Sequence, residues 1–202
     1  MSLDQQIYDL AISEGFSPTS AKLIVAQARL ESANYGSNVF KNNNNMYGMK
    51  FVGQPLATRG TLAPMNERSA SCKSGGTCVD RDFYAKYNTP TDSAKDVIQR
   101  LYKKTRKGIG FNELKSVSDS TDFATKLKTR DYYGFHDIST PEGKSEAQSY
   151  AKGLDARLKN VSIIEKVVNV VTDKKKIKFA IIGLALIGIS AYGYRWYKKM
   201  KR

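Results

Sequence analysis

The sequence predicts a mainly helical α+β domain followed by one C-terminal transmembrane helix. Apolar residues recur at helical spacing before residue 31 and again between residues 92 and 158. Residues 51–85 are punctuated by turn formers and lack this periodicity, which indicates a small, irregular β-lobe with one hairpin. No charged residue occurs from Phe179 to Tyr194, as is typical of a membrane span.

The length of the chain, 202 residues, leaves room for one domain of about 150 residues and an appendage. The changes in composition place the boundaries of the appendage. We predict a folded domain at 1–159, an amphipathic and basic linker at 160–176, a transmembrane helix at 177–197 and a basic tail at 198–202.

The charge balance is strongly basic, with 33 Lys and Arg against 19 Asp and Glu and a net charge of +14. Such a balance favours anionic partners, whether cell-wall polymer, lipid head groups, nucleic acid or an acidic protein surface. The soluble part has no basic helix interleaved with aromatic residues, so specific nucleic-acid binding is not predicted.

The first two helices lead to an acidic residue. Residues 1–15 carry acids early and lack a long apolar core, so they are not predicted to be a signal peptide. They predict a short helix that ends at Gly15. Ser17 and Pro18 then read as an N-cap with proline at the first helical position. The helix that they begin runs to Glu31.

Glu31 lies on the apolar stripe of this second helix, because Ile24, Ala28 and Glu31 are spaced i, i+4 and i+7. Partial burial and the negative end of the helix dipole both raise the pKa of a carboxyl in this position. A carboxyl that stays protonated near neutral pH is what a general acid requires. The alternative is an ordinary capping or surface glutamate.

The residues around Glu31 carry a motif. Residues 27–32 read QARLES, and after a short Gly-containing loop residues 44–50 read NNMYGMK. This pattern resembles the glucosaminidase domain of peptidoglycan hydrolases, found in bacterial autolysins and flagellar muramidases. The departures are mild: Ala33 and Asn34 stand where many members have Gly and Trp, and Tyr47 replaces the usual Phe.

The resemblance covers about residues 17–159 and implies a lysozyme-like fold, with a glycan cleft between a helical lobe and a small β-lobe. It places the catalytic acid at Glu31. Asn44, Asn45 and Tyr47 would organise the cleft floor and bind substrate, although asparagine runs are also ordinary loop.

Two tyrosines later in the chain extend the implied site. The family has a Gly-Tyr pair whose Tyr lines the cleft opposite the acid. Tyr132 is the best match in position and Tyr133 is the neighbour that could take its role, while Asp131 replaces the family Gly. The alternative is that these rings simply pack the core. A last helix is predicted to begin at Thr140 and Pro141, again an N-cap followed by proline.

A glycosidase of either stereochemistry needs a second carboxylate, and the family usually takes it from the β-lobe. Glu67 is the one glutamate in that lobe and the first choice, with Asp80 and Asp82 as further candidates. Alternatively, the acetamido group of the substrate acts as nucleophile. A muramyl hydroxyl could also attack, which would make the protein a lytic transglycosylase.

Cys72 and Cys78 are six residues apart with Gly-Gly between them, and could close a loop by a disulfide or remain free thiols. A disulfide would place the domain outside the cytoplasm. With one histidine and no further cysteines in the chain, no metal site is predicted. No cofactor is predicted either.

Residues 177–197 reach the length of a spanning helix, about 20 residues, if Lys178 snorkels and Trp196 sits at the interface. Both flanks are basic, so the orientation is not determined. We predict a virion-associated lysin of a membrane-containing bacteriophage, used at cell entry. This prediction combines the hydrolase resemblance, the lack of a predicted signal peptide and the predicted C-terminal anchor. The lysin would act on β-1,4 glycan strands as an endo-N-acetylglucosaminidase and contact other virion or membrane proteins.

Three alternatives stay open. The same fold could work as a lytic transglycosylase or as a muramidase. The protein could also be a catalytically inactive, membrane-anchored structural protein of a capsid. If it is not a virion component, we expect it in the bacterial envelope.

Overall fold

The computed structural model describes residues 1–103, 111–130 and 132–163, and in these residues it contains seven α-helices and two β-strands. The elements in chain order are α1 (Leu3–Ser13), α2 (Pro18–Glu31), α3 (Asn38–Asn43), β1 (Ala57–Leu62), α4 (Ala70–Lys73), β2 (Phe83–Tyr87), α5 (Pro90–Lys103), α6 (Ser120–Thr129) and α7 (Pro141–Leu158). Short 3₁₀ turns occur at Met65–Glu67, Asp80–Asp82 and Phe111–Ser116. The predicted mainly helical α+β class is confirmed.

The starts of α2 and α7 follow the predicted caps. The Ser17 side chain accepts a hydrogen bond from the backbone N–H of Ser20, and Pro18 opens α2. The Thr140 side chain accepts the N–H of Gly143 in the same way, with Pro141 behind it. Local sequence therefore determines where both site-bearing helices begin.

The β-lobe is one antiparallel hairpin, as predicted. Ala57 pairs with Tyr87 and Leu62 with Phe83, with an irregularity between Arg59 and Leu62. Residues 63–82 connect the two strands and contain α4 and two of the 3₁₀ turns. The lobe joins the helices through α3, which packs against both strands.

The core lies around α2, which packs on α1 and α7. Its buried apolar side chains come from several helices and include Ile7, Leu23, Val25, Val97, Ile98, Phe123, Leu127 and Leu154. Gly153 lets α7 approach α2 closely, since a Cβ there would lie 3.2 Å from both methyl carbons of Leu30. This close approach carries α7 past the C-terminal end of α2, where Glu31 lies.

Residues 164–202 lie outside the described part of the chain. They contain nearly all of the predicted linker (160–176), the predicted transmembrane helix (177–197) and the basic tail (198–202), which stay predictions. Within the described ranges, no helix combines the length and apolar character that a bilayer crossing requires.

Candidate active site

Glu31 is the last residue of α2 and faces α7. The hydroxyl of Tyr150 donates a 2.6 Å hydrogen bond to its Oε1. Burial raises the pKa of the Glu31 carboxyl, and the Tyr150 hydrogen bond lowers it; burial is the larger effect, so the pKa lies above its ordinary value. The carboxyl therefore keeps its proton to a higher pH than an exposed glutamate does.

Three tyrosines surround this carboxyl. Burial raises the pKa of the Tyr47, Tyr132 and Tyr150 hydroxyls, and the nearby Glu31 carboxylate raises each of them further. The structure thus brings Tyr132 near Glu31, although Tyr132 does not line the open cleft that Glu31 lines, and its role in the site stays a prediction. No motif in the sequence pointed to Tyr150 as the partner of Glu31.

Glu31 lines an open cleft of about 510 Å³ between the end of α2, the loop after α6 and one face of α7. Its walls are formed by Leu30, Glu31, Tyr133, Gly134, Phe135, Ser145, Glu146, Ser149, Tyr150 and Gly153. A ligand in this cleft would reach the carboxyl of Glu31 directly.

Tyr133 is one wall of this cleft and supports Tyr150. Its ring stacks on that of Tyr150 with centroids 4.1 Å apart and an interplanar angle of 8°. Its hydroxyl donates to the backbone carbonyl of Ala124 at 2.8 Å, which ties the stack to α6. Tyr133 therefore helps to hold the partner of Glu31 in place.

Glu146 is a second carboxylate in the cleft wall, and no sequence motif indicated it. It forms ion pairs with the buried Lys128 and with His136, and these lower the pKa of its carboxyl to about 2. Glu146, Tyr150 and Gly153 are spaced i, i+4 and i+7 on α7, so helical phase would have grouped them had the face been known to meet Glu31.

Glu67, the predicted second carboxylate, lies in a 3₁₀ turn of the β-lobe. It accepts a 2.6 Å hydrogen bond from Lys50 Nζ and a 3.1 Å bond from the Tyr84 hydroxyl. The Lys50 ammonium lowers the pKa of the Glu67 carboxyl. In the described part of the chain, no direct contact joins Glu67 to Glu31.

The other two carboxylates considered in the β-lobe, Asp80 and Asp82, are engaged with the protein. Asp80 pairs with Arg59. The buried Asp82 accepts hydrogen bonds from the N–H and hydroxyl of Ser69 and from the N–H of Val79, at 2.6–2.8 Å. Asp82 thereby holds the long connection between the two strands.

The motif residues after Glu31 also make their contacts within the protein. Asn44 donates to the carbonyls of Tyr87 and Asn88. The buried Asn45 donates to the carbonyls of Met49 and Ala85. Tyr47 is buried, with its hydroxyl 3.4 Å from the carbonyl of Ile24. These contacts join the two lobes, and substrate binding by Asn44, Asn45 and Tyr47 stays a prediction.

Cys72 and Cys78 are joined by a disulfide in the structure. Together with Asp82, they are the one group of potential metal ligands found close together in the described residues. Both sulfurs are bonded to each other, so the group offers no thiolate to a metal ion.

Residues 8–163 match the model of the glucosaminidase family, described as mannosyl-glycoprotein endo-β-N-acetylglucosaminidase. Among curated proteins, no match is found.

Two solved structures are similar to this chain. The catalytic domain of the autolysin Auto from Listeria monocytogenes is 20% identical, with 79% of this chain and 80% of that chain covered and a TM-score of 0.49. A chain of a type VI secretion system effector–immunity complex from Pseudomonas protegens is 14% identical, with 76% and 86% covered and a TM-score of 0.45.

Proposed function

Since the chain belongs to the glucosaminidase family, we propose that it cleaves the β-1,4 glycan strand of peptidoglycan as an endo-N-acetylglucosaminidase. Family membership supports peptidoglycan-hydrolase activity in general. The observation that carries glycosidic-bond cleavage is Glu31, a partly buried carboxyl of raised pKa that lines an open cleft. The description of the family supports the choice of the N-acetylglucosaminide bond.

Glu31 acts as the general acid. Because the Tyr150 hydroxyl donates to Oε1, Oε2 is the oxygen that carries the acidic proton. It gives this proton to the glycosidic oxygen as the bond to the sugar breaks, so the leaving group departs as a neutral alcohol. The resulting carboxylate accepts the Tyr150 hydrogen bond more strongly, since bonds to charged groups are stronger.

Glu67 is the proposed second carboxylate. Lys50 lowers the pKa of Glu67, while burial raises that of Glu31. Opposite shifts of this kind separate a base or nucleophile from an acid. The reaction would be retaining or inverting according to the distance between the carboxyls in the substrate complex.

The alternative is that the substrate supplies the nucleophile. This reading is favoured by the engagement of Glu67 with Lys50 and Tyr84, which occupy Glu67 Oε2. Attack by the muramyl hydroxyl would release anhydro ends and make the protein a lytic transglycosylase.

Tyr132 and Tyr133 are proposed to meet the sugar beside the scissile bond, because Tyr132 lies near Glu31 and Tyr133 lines the cleft. Asn44, Asn45 and Tyr47 are absent from the cleft wall, and they are proposed to act on substrate binding indirectly, by holding the β-lobe against the helices.

Zymography on peptidoglycan with wild type, Glu31→Gln and Glu142→Gln tests the function. Glu142 is an exposed carboxylate in the first turn of α7 and serves as a matched control. We expect clearing by wild type and Glu142→Gln and a loss of at least about 100-fold for Glu31→Gln. Equal clearing by Glu31→Gln would refute the role of Glu31, and no clearing by any of the three would favour an inactive structural protein.

Mass spectrometry of the released fragments identifies the bond. New reducing N-acetylglucosamine ends are the expected result. Reducing N-acetylmuramic acid ends would indicate a muramidase, and anhydro ends a lytic transglycosylase.

We also propose that residues 177–197 anchor the domain in a membrane and that the setting is a membrane-containing virion, with the bacterial envelope as the alternative. The uncharged run from Phe179 to Tyr194 supports the anchor. Flotation of the full chain with liposomes, compared with a chain ending at residue 163, tests the anchor. Detection in purified virions, and not only in uninfected envelopes, tests the setting.

A further inference from the structure

Phe135 is a fully exposed aromatic residue in the wall of the Glu31 cleft. The other exposed large apolar side chains in the described residues expose between 37% and 82% of their surface, against 100% for Phe135. Single exposed apolar residues are common on proteins. Phe135 differs because its position in a cleft is maintained by a dedicated set of polar contacts.

Lys128 and Glu146 hold the backbone of the loop that carries Phe135. Lys128 Nζ is buried, donates to the carbonyl of Tyr133 at 3.0 Å and pairs with the Glu146 carboxylate. Glu146 Oε1 accepts the N–H of Phe135 at 3.4 Å and lies 2.8 Å from His136 Nδ1. The backbone on both sides of Gly134 is thus held in place.

Gly134 is required at the turn on two grounds. Its φ is +70°, in the left-handed region, and a Cβ at this position would collide with Glu146 Oε2 and Lys128 Nζ. The chain therefore passes directly over the ion pair, and this leaves the next side chain, Phe135, directed away from the core.

The cleft wall also offers hydroxyl groups. Ser145 and Ser149 lie on α7 four residues apart, and Tyr150 and Glu31 follow along the same cleft. An aromatic face beside a row of hydroxyls matches a pyranose ring, which has an apolar C–H face and a rim of hydroxyl and amide groups.

We propose that Phe135 is the stacking platform of a sugar subsite that holds one N-acetylhexosamine ring of the glycan strand, with Ser145 and Ser149 at the rim of that ring. Glu146 and Lys128 are positioning residues for the platform. The inference rests on the proposed function, because it takes the glycan strand as the occupant of the cleft.

Binding measured in an inactive background separates the subsite from catalysis. Glu31→Gln carrying Phe135→Ala, Phe135→Trp or Val79→Ala is titrated calorimetrically with a soluble, uncross-linked peptidoglycan glycan fragment. Val79 is the matched control, an apolar residue 46% exposed and absent from the cleft wall. We expect Phe135→Ala to weaken binding about tenfold, as loss of an aromatic contact would, and Phe135→Trp and Val79→Ala to bind like Glu31→Gln alone.

In the active background, Phe135→Ala is expected to raise KM about tenfold with kcat within threefold of wild type. Unchanged glycan binding and KM for Phe135→Ala, with wild type active, would overturn the subsite and leave the proposed function intact. If wild type cleaves no glycan but the binding series still shows the tenfold loss, the hydrolase proposal fails and the subsite stands.

Discussion

The hydroxyl of Tyr150 donates a 2.6 Å hydrogen bond to Oε1 of Glu31, across 119 residues of sequence. It opposes the burial that raises the pKa of the carboxyl. Tyr150 in turn stacks on Tyr133. The Glu31 carboxyl is therefore positioned by α2, α7 and the stacked rings of Tyr133 and Tyr150. Its pKa results from burial, which raises it, and from the Tyr150 hydrogen bond, which lowers it.

Tyr150→Phe removes this hydrogen bond and should raise the pKa of Glu31 further. Because a general acid works in its protonated form, the alkaline limb of the kcat–pH profile should move to higher pH, with little change at the acidic end. Stability should fall by about 1 kcal/mol. The profile is measured on soluble glycan fragments, and stability by urea unfolding.

Tyr35→Phe is the matched control, because its hydroxyl donates to the buried Asp4 at 2.8 Å and not to Glu31. Tyr35→Phe should lower the free energy of unfolding by a similar amount and leave the kcat–pH profile unchanged. An unmoved profile for Tyr150→Phe would show that Tyr150 has only a structural role.

Lowering the pH should lower the free energy of unfolding, because the Glu146 carboxylate becomes protonated. Its folded-state pKa, about 2, lies below the ordinary value of 4.5 because of Lys128 and His136. A lowered carboxyl pKa contributes stability that is complete above about pH 4.5 and disappears as the pH falls toward 2. Glu146→Gln should therefore be less stable than wild type at neutral pH, and the two should converge near pH 2.

Urea unfolding of both proteins at several pH values between 2 and 7 measures this difference. Lys126→Met is the control, because its i,i+4 pair with Asp122 is more exposed and should contribute less than about 1 kcal/mol. A difference between wild type and Glu146→Gln that does not change with pH would contradict the assigned role of the ion pair.

Ala33→Gly should stabilise the protein. Ala33, Asn34 and Tyr35 follow one another with φ values of +51°, +57° and +65°, a left-handed turn of three non-glycine residues after Ser32, the C-cap of α2. Each such residue costs about 1 kcal/mol or more relative to glycine. Ala33 is exposed, so its methyl group contributes little packing, and we expect a gain of roughly 0.5–1 kcal/mol after the entropy of glycine is counted.

Gly48→Ala is the reverse substitution, in which a glycine at positive φ is replaced by alanine. Its φ is +61° and a Cβ there would meet no atom within 4 Å, so only backbone conformation changes. It should cost about 1 kcal/mol. A loss of stability in Ala33→Gly, measured by thermal and urea unfolding, would show that the turn is held without strain.

Removing the disulfide should destabilise the β-lobe. The bond between Cys72 and Cys78 closes a short loop, for which the chain-entropy relation gives about 2 kcal/mol. The free energy of unfolding of Cys72→Ser/Cys78→Ser should be lower than that of wild type by that amount, with a lower urea midpoint. A reducing agent should destabilise wild type but not the double variant, and insensitivity of both would indicate that the bond does not form.

Several features follow from the sequence alone because they depend on near neighbours. The N-caps at Ser17 and Thr140 need only a side-chain oxygen and an N–H three residues on. The position of Glu31 on an apolar stripe follows from the helical repeat. The hairpin of the β-lobe follows from turn formers between short apolar segments. The motifs around Glu31 then indicated the family.

Tertiary structure alone decided what surrounds the acid. Tyr150 and Glu146 share a helix face with the apolar residues of α7, and nothing in that helix says which neighbour the face meets. The close approach of α7 to α2 at Gly153 and Leu30 places Tyr150 against Glu31. Likewise, packing turned Asn45 toward the backbone of β2 and Glu67 toward Lys50. Contacts between residues distant in sequence depend on how whole elements pack, and the pKa of a buried carboxyl depends on those contacts.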